Sequence, residues 1–152
     1  MDHKTTQIDT FLVAGITVRT INKPGHADKD IGELWQRFFQ DNVAANIPGK
    51  LSDDVYCVYS NYESDYTGHY TTTLGCKVES IENLHDGFGG VEVPGGSFHQ
   101  YQTEGEMPAG VIAAWQHIWT NENARRYTAD FEVYPAQPET EGPCMPQIFV
   151  AV

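Results

Sequence analysis

The sequence predicts an α+β fold: two tandem copies of a strand–helix–strand–strand unit, forming antiparallel sheet with two helices flanking a central groove. Three observations predict it. Two segments carry an apolar stripe at helical spacing, and each stripe contains a Trp-Gln pair. Strand-forming runs surround both stripes in the same order. The two halves also register. Val13 falls on Val93, Gly15 on Gly95, Ile31 on Val111, Trp35 on Trp115, Gln36 on Gln116 and Phe39 on Trp119, each 80 residues apart. Past the helices the separation is 75 residues, with Val58 on Val133 and Tyr59 on Tyr134, which fits a shorter loop after the second helix.

The elements follow in order. Phe11–Val18 is rich in β-branched residues and reads as a strand, with Gly15 marking a bulge or bend. Asp30-Ile-Gly-Glu33 has the form of a helix start, with Asp30 as N-cap. Ile31, Leu34, Trp35, Phe38 and Phe39 then form one stripe. Val55–Tyr59 and Tyr70–Val78 are the next strands. In the second half, Val91–Tyr101 is extended with a glycine bend, and Pro108 suits a first helical position. Val111, Ile112, Trp115, Ile118 and Trp119 form the second stripe, followed by strands Phe131–Tyr134 and Gln147–Val152. The copies span about 8–80 and about 90–152 within a single domain, 1–152. A groove along the pseudo-two-fold axis is a natural place for a small-molecule pocket.

Composition narrows the function. A net charge of −12 repels nucleic acid and anionic membranes and attracts cations. Cys57, Cys76 and Cys144 are odd in number and form no CxxC, so neither a disulfide framework nor a zinc-cysteine site is expected, and a cytoplasmic location fits. No segment reaches bilayer-spanning length. None of the six histidines forms HxxxH or lies near a cysteine, and no nucleotide-binding glycine pattern or nucleophile elbow is present. The expectation is therefore no metal, no cofactor and no assigned catalytic residue.

Two sets of residues invite a chemical reading. Trp35, Trp115 and Trp119 sit on the helix stripes, where ordinary core packing competes with the wall of a groove that offers cation–π contact. Tyr59, Tyr70, Tyr101 and Tyr134 could join them from the strands. Most acids fall in turns such as Asp53-Asp54, Glu63-Ser-Asp65 and Glu139-Thr-Glu141 and read as solvated. Glu132 is different. Plain alternation turns Asp130, Glu132 and Tyr134 toward water. The matching position in the first copy is Cys57, a residue type usually buried, which argues that this face is covered. A buried carboxylate without a partner would favour a bound cation.

Several pieces together resemble the DNA gyrase inhibitory protein-like (GyrI-like) superfamily, which includes the effector-binding domain of AraC-type and MerR-type multidrug regulators. They are Tyr56-Cys-Val-Tyr-Ser-Asn-Tyr62, Tyr70-Thr-Thr-Thr-Leu-Gly75, Val93-Pro-Gly-Gly96, Ala114-Trp115 and Phe131-Glu-Val-Tyr134. The likeness extends to stand-alone members carried by integron gene cassettes that bind cationic drugs. The resemblance implies a ligand in the central groove and an acidic residue on the late Phe-Glu-x-Tyr strand at its cationic centre, a role that carries onto Glu132. The resemblance also matches Trp35, Trp115, Trp119, Tyr59 and Tyr70 to the family's groove aromatics, and Tyr134 lies on the same strand as Glu132. With the first strand read from Phe11, about ten residues precede it, too few for the helix-turn-helix of the regulators.

The leading expectation is a binding protein for amphipathic organic cations. The runner-up is a hydrolase of reactive toxins in which Glu132 activates water and Tyr134 or Tyr70 orients it. A third reading is an acidic module that inhibits gyrase. A partner protein, either a regulator or gyrase, and a homodimer are both left open.

Overall fold

The computed structural model describes residues 3–104, 109–135 and 146–152. One antiparallel sheet contains β1 (His3–Ile8), β2 (Phe11–Ile21), β3 (Val55–Ser60), β4 (His69–Val78), β5 (Gly89–Val93), β6 (Gly96–Gln102), β7 (Ala129–Tyr134) and β8 (Gln147–Ala151), in the order β1-β6-β8-β7-β3-β4-β2-β5. Among the described residues two α-helices accompany it, α1 (Ala27–Gln40) and α2 (Ala109–Asn121), with a short 3-10 turn at Val43–Asn46. The first repeat is β2-α1-β3-β4 and the second is β6-α2-β7-β8.

The strand order reads symmetrically about the β3–β7 junction. The register there pairs Cys57 with Glu132, the same two residues that the 75-residue sequence offset makes equivalent. A pair that maps onto itself must lie on the axis. The pseudo-two-fold therefore passes between the Cys57 thiol position and the Glu132 carboxylate.

The sheet edges show a reciprocal exchange. β1 precedes the first repeat but pairs with β6 of the second, and β5 precedes the second repeat but pairs with β2 of the first. Each repeat's sheet is thus completed by the strand leading into the other. The crossings touch where the Gly95 amide donates to Thr10 Oγ1 at 2.8 Å. The strand β1 departs from the sequence reading, which began the first strand at Phe11. His3-Lys-Thr-Thr-Gln-Ile8 is an edge strand with mostly exposed residues, so it lacks the apolar alternation by which strands are read. The Val91–Tyr101 segment likewise divides into β5 and β6 at Pro94-Gly95.

Both sheet faces are buried in part, for different reasons. On one face the helices provide the cover. Leu34 and Phe38 of α1 pack over Ala14, Cys57 and Leu74, while Ala114 and Ile118 of α2 pack over Tyr101, Ile148 and Val150. On the other face Phe11, Val58, Phe98 and Phe131 form a cluster of their own. The Phe11 and Phe131 rings lie 5.1 Å apart, although two strands separate β2 from β7. Three flat strand spacings would span about 14 Å, so the sheet curves over this cluster. Gly15 and Gly75 allow β2 and β4 to close up opposite one another: a Cβ on Gly15 would lie 2.0 Å from the Leu74 carbonyl oxygen.

The helix starts also differ in detail. α1 begins at Ala27, so Asp30 lies inside its first turn rather than capping it, and its carboxylate accepts from Thr20 Oγ1 at 2.8 Å. Acidic Asp28 and Asp30 in that turn favour the helix through its dipole. Each stripe divides by direction. Leu34 and Phe38, and their equivalents Ala114 and Ile118, face the sheet, whereas Trp35 and Trp115 are half-buried. Phe39 and Ile112, read as stripe residues, are exposed. Pro108, Cys144 and the Glu139–Glu141 turn lie outside the described residues.

Candidate functional site

The space between α1 and α2, floored by β3 and β7, is a cavity of about 810 Å³. Its wall includes Trp35, Tyr59, Tyr70, Trp115, Trp119, Glu132 and Tyr134, so the site residues named from the sequence, Tyr101 excepted, meet in one place. Tyr62, Tyr66 and Arg125 also line it and were not singled out. Tyr62 and Tyr66 lie beyond the end of β3, in a loop whose course the sequence does not disclose. Tyr101 is elsewhere: it is buried under α2, and its hydroxyl donates to Glu122 Oε2 at 2.7 Å.

Glu132 is at the floor, 1 % exposed. Tyr59 donates to Oε2 at 2.7 Å, the Trp115 indole donates to Oε2 at 2.6 Å, and Tyr134 donates to Oε1 at 2.6 Å. All three donors are neutral. Among the described residues no Lys, Arg or His makes an ion pair with this carboxylate. Burial pushes the Glu132 carboxyl above the usual carboxylate range, and the hydrogen bonds from Tyr134, Tyr59 and Trp115 offset part of that rise. Burial also raises the Tyr59 hydroxyl well above its ordinary value, which keeps it a donor at neutral pH.

The pseudo-symmetry organises these contacts. Tyr59 and Tyr134 are equivalent residues, and they grip the axial glutamate from opposite sides. Trp115 of the second repeat stands edge-on to Tyr59 of the first, with ring centres 5.3 Å apart and planes at 85°. Trp35 of the first repeat stands edge-on to Tyr134 of the second at 4.8 Å and 73°. Each Trp–Tyr pair therefore joins the two copies. Symmetry breaks at the polar atoms, because Trp115 donates to Glu132 while Trp35 packs against Phe38 and Phe39. Further out, Trp119 stacks on Tyr66 with the planes 5° from parallel and the centres 5.7 Å apart. Tyr70 donates to Asn22 Oδ1 at 2.6 Å and meets Tyr59 edge-on.

Arg125 brings a positive charge to the same wall, but Asp130 answers it. Arg125 Nη2 lies 2.7 Å from Asp130 Oδ2, and both side chains are buried. Asp130 also accepts from the Tyr62 hydroxyl at 2.6 Å and from the Ala151 amide at 2.8 Å. The guanidinium lies over the Tyr127 ring, 4.3 Å from its centre. Burial works against the Arg125 charge, yet the neighbouring Asp130 holds its pKa above the ordinary value. The lining also holds Lys23 and Asp28, one charge of each sign, so with Arg125 and Asp130 paired an ionised Glu132 would give the site a net charge of −1. Plain alternation placed Asp130 and Glu132 toward water; the helices and the Arg125 loop cover that face instead.

Comparisons with known proteins agree with this architecture. The chain superposes on the integron cassette protein VCH_CASS2 from the mobile metagenome of Vibrio cholerae with a TM-score of 0.72, 32% identity and coverage of 98% of this chain and 94% of that one. It superposes on SAV2435, solved bound to tetraphenylphosphonium, with a TM-score of 0.78 and 17% identity, covering 99% and 93% of the two chains, which is a likeness of fold. The YobU protein of Bacillus subtilis (strain 168) is 26% identical over 152 residues, or 97% of this chain and 95% of that protein. No helix among the described residues is long and apolar enough to cross a membrane. The profile of the Cass2 family, integron-associated effector binding proteins, matches residues 4–152, and the chain belongs to that family.

Proposed function

We propose that this protein binds amphipathic organic cations in the cavity between its helices, with Glu132 as the charge-selecting group. The observation that carries the proposal is the state of Glu132. It is a fully buried carboxylate held by three neutral donors, at the floor of an aromatic cavity. Neutral donors keep the carboxylate in place without cancelling its charge. A cation entering the cavity would restore the electrostatic balance that burial removes. The rings supply apolar burial and attraction of about 0.5–2 kcal/mol each to a cation over a ring face. The volume is within the range of about 300–1,000 Å³ typical of small-molecule sites. The tetraphenylphosphonium carried by SAV2435, a protein of like fold, is a ligand of this chemical type.

Titration with tetraphenylphosphonium, followed by tryptophan fluorescence and by calorimetry, tests the proposal. Saturable binding to the parent protein is expected, with quenching from Trp35, Trp115 and Trp119. Glu132→Gln keeps the shape and removes the charge. Equal affinity of parent and variant would refute charge selection by this residue.

A further inference from the structure

Away from the cavity, three metal-ligating side chains converge at the end of α2. His3 on β1, His99 on β6 and Glu122 just past α2 each offer a ligand atom, and these atoms lie within 4.8 Å of one another. We propose that they form a site for a divalent transition ion such as zinc.

The arrangement is assembled by the strand exchange. β1 lies beside β6, with His3 opposite Tyr101 in the register. This brings His3 onto His99, where the two rings stack with centres 4.0 Å apart. Glu122 leaves the last turn of α2, its amide donating to the Ile118 carbonyl at 3.0 Å. Its carboxylate is only 6% exposed and lies 2.5 Å from His99 Nδ1. The Tyr101 hydroxyl donates to the same oxygen at 2.7 Å and fixes its direction.

Two imidazoles and a carboxylate are a donor set that suits zinc, with a water completing a tetrahedron. The hydrogen bond from Tyr101 supplies the outer support that such ligands normally have. The C-terminal end of a helix also favours a cation through its dipole. Tetrahedral ligands stand about 3.3 Å apart at normal zinc distances. Reaching that geometry requires His3 to swing out of its stack, and its exposed position on an edge strand leaves it room to do so. The bound ion would pin β1, the strand that leads into the first repeat, to the second repeat. None of the three ligands lines the aromatic cavity, so this site stands independently of cation binding there.

The spacing of these residues along the chain gives no sign of a site, because His3 and His99 become neighbours only through the exchange.

The test uses the full chain, freed of metal with a chelator and titrated with Co²⁺ and then Zn²⁺. One Co²⁺ per chain at micromolar concentration is expected, with visible d–d absorption and no thiolate charge-transfer band. His3→Ala and His99→Gln should each weaken binding by about tenfold or more, while His26→Ala leaves it unchanged. Zinc should raise the Tm of the parent and have little effect on His3→Ala. His3 is exposed, so its variant folds and keeps the test decisive even where a change at His99 disturbs packing. Failure to bind Co²⁺, a thiolate band, or undiminished binding by His3→Ala would overturn the proposal.

Discussion

Asp130 and Glu132 stand two residues apart on β7, point to the same face and are both buried, yet their surroundings differ. Asp130 meets Arg125 at 2.7 Å and accepts two further hydrogen bonds. Glu132 meets two tyrosines and an indole. In the first repeat the equivalent positions hold Val55 and Cys57, so both acids are departures from the duplicated pattern. One departure was compensated with a cation from the chain. The other was compensated only with neutral donors and opens on the cavity. On the proposed function, the carboxylate that the protein pairs with its own cation is structural and the one it leaves without a counter-charge serves a ligand.

The largest expected effect follows from breaking the compensated pair. Asp130→Asn strands the Arg125 guanidinium in a buried setting and should cost about 3–5 kcal/mol in urea unfolding. The same neutralising change at Glu132 should act in the opposite sense on stability. Glu132→Gln leaves no unpaired cation behind and should unfold at the same urea concentration as the parent, or a higher one, at neutral pH. Its cost should appear in ligand affinity, as a loss of about 2 kcal/mol or more for tetraphenylphosphonium, roughly 30-fold. If both variants lose stability alike, the distinction between the two acids fails.

A smaller contrast concerns the two equivalent tryptophans. Trp115→Phe removes a hydrogen bond to a charged group as well as ring area, while Trp35→Phe removes ring area alone. The first should weaken cation binding by about 1.5 kcal/mol more than the second. Equal losses in calorimetric titrations would show that the indole donor has no part in holding the carboxylate.

Much of this fold is legible in the sequence because it rests on local patterns. The Trp-Gln stripes disclose both helices, and β-branched runs disclose β3, β4, β7 and β8 nearly to their ends. The strand β1 is hidden because an exposed edge strand of mixed polarity has no buried face to signal it. The start of α1 is displaced because Asp30 and Glu33 imitate a capping box, while the backbone is already helical at Ala27. Glu132 is legible through its equivalence to Cys57, a comparison between copies rather than a property of the strand. Asp130 is not, because its burial depends on Arg125, which reaches it from a loop. The metal-ligand cluster is likewise invisible, since it depends on which edge β1 joins.

The pH dependence of Glu132 brings the comparison to a single quantity. Its folded pKa lies above the unfolded value, so the folded state retains a proton over the window between them. Stability therefore declines as pH rises from the ordinary carboxylate range through the raised value. A bound cation favours the ionised form, so its affinity should grow across the same window and level off above it. Within that window binding must displace a proton.

Calorimetric titration of tetraphenylphosphonium in two buffers of different ionisation enthalpy, at a pH inside the window, counts that proton directly. A fractional proton released per cation is expected for the parent protein and none for Glu132→Gln. Binding without proton release in the parent, or equal release by both proteins, would contradict it.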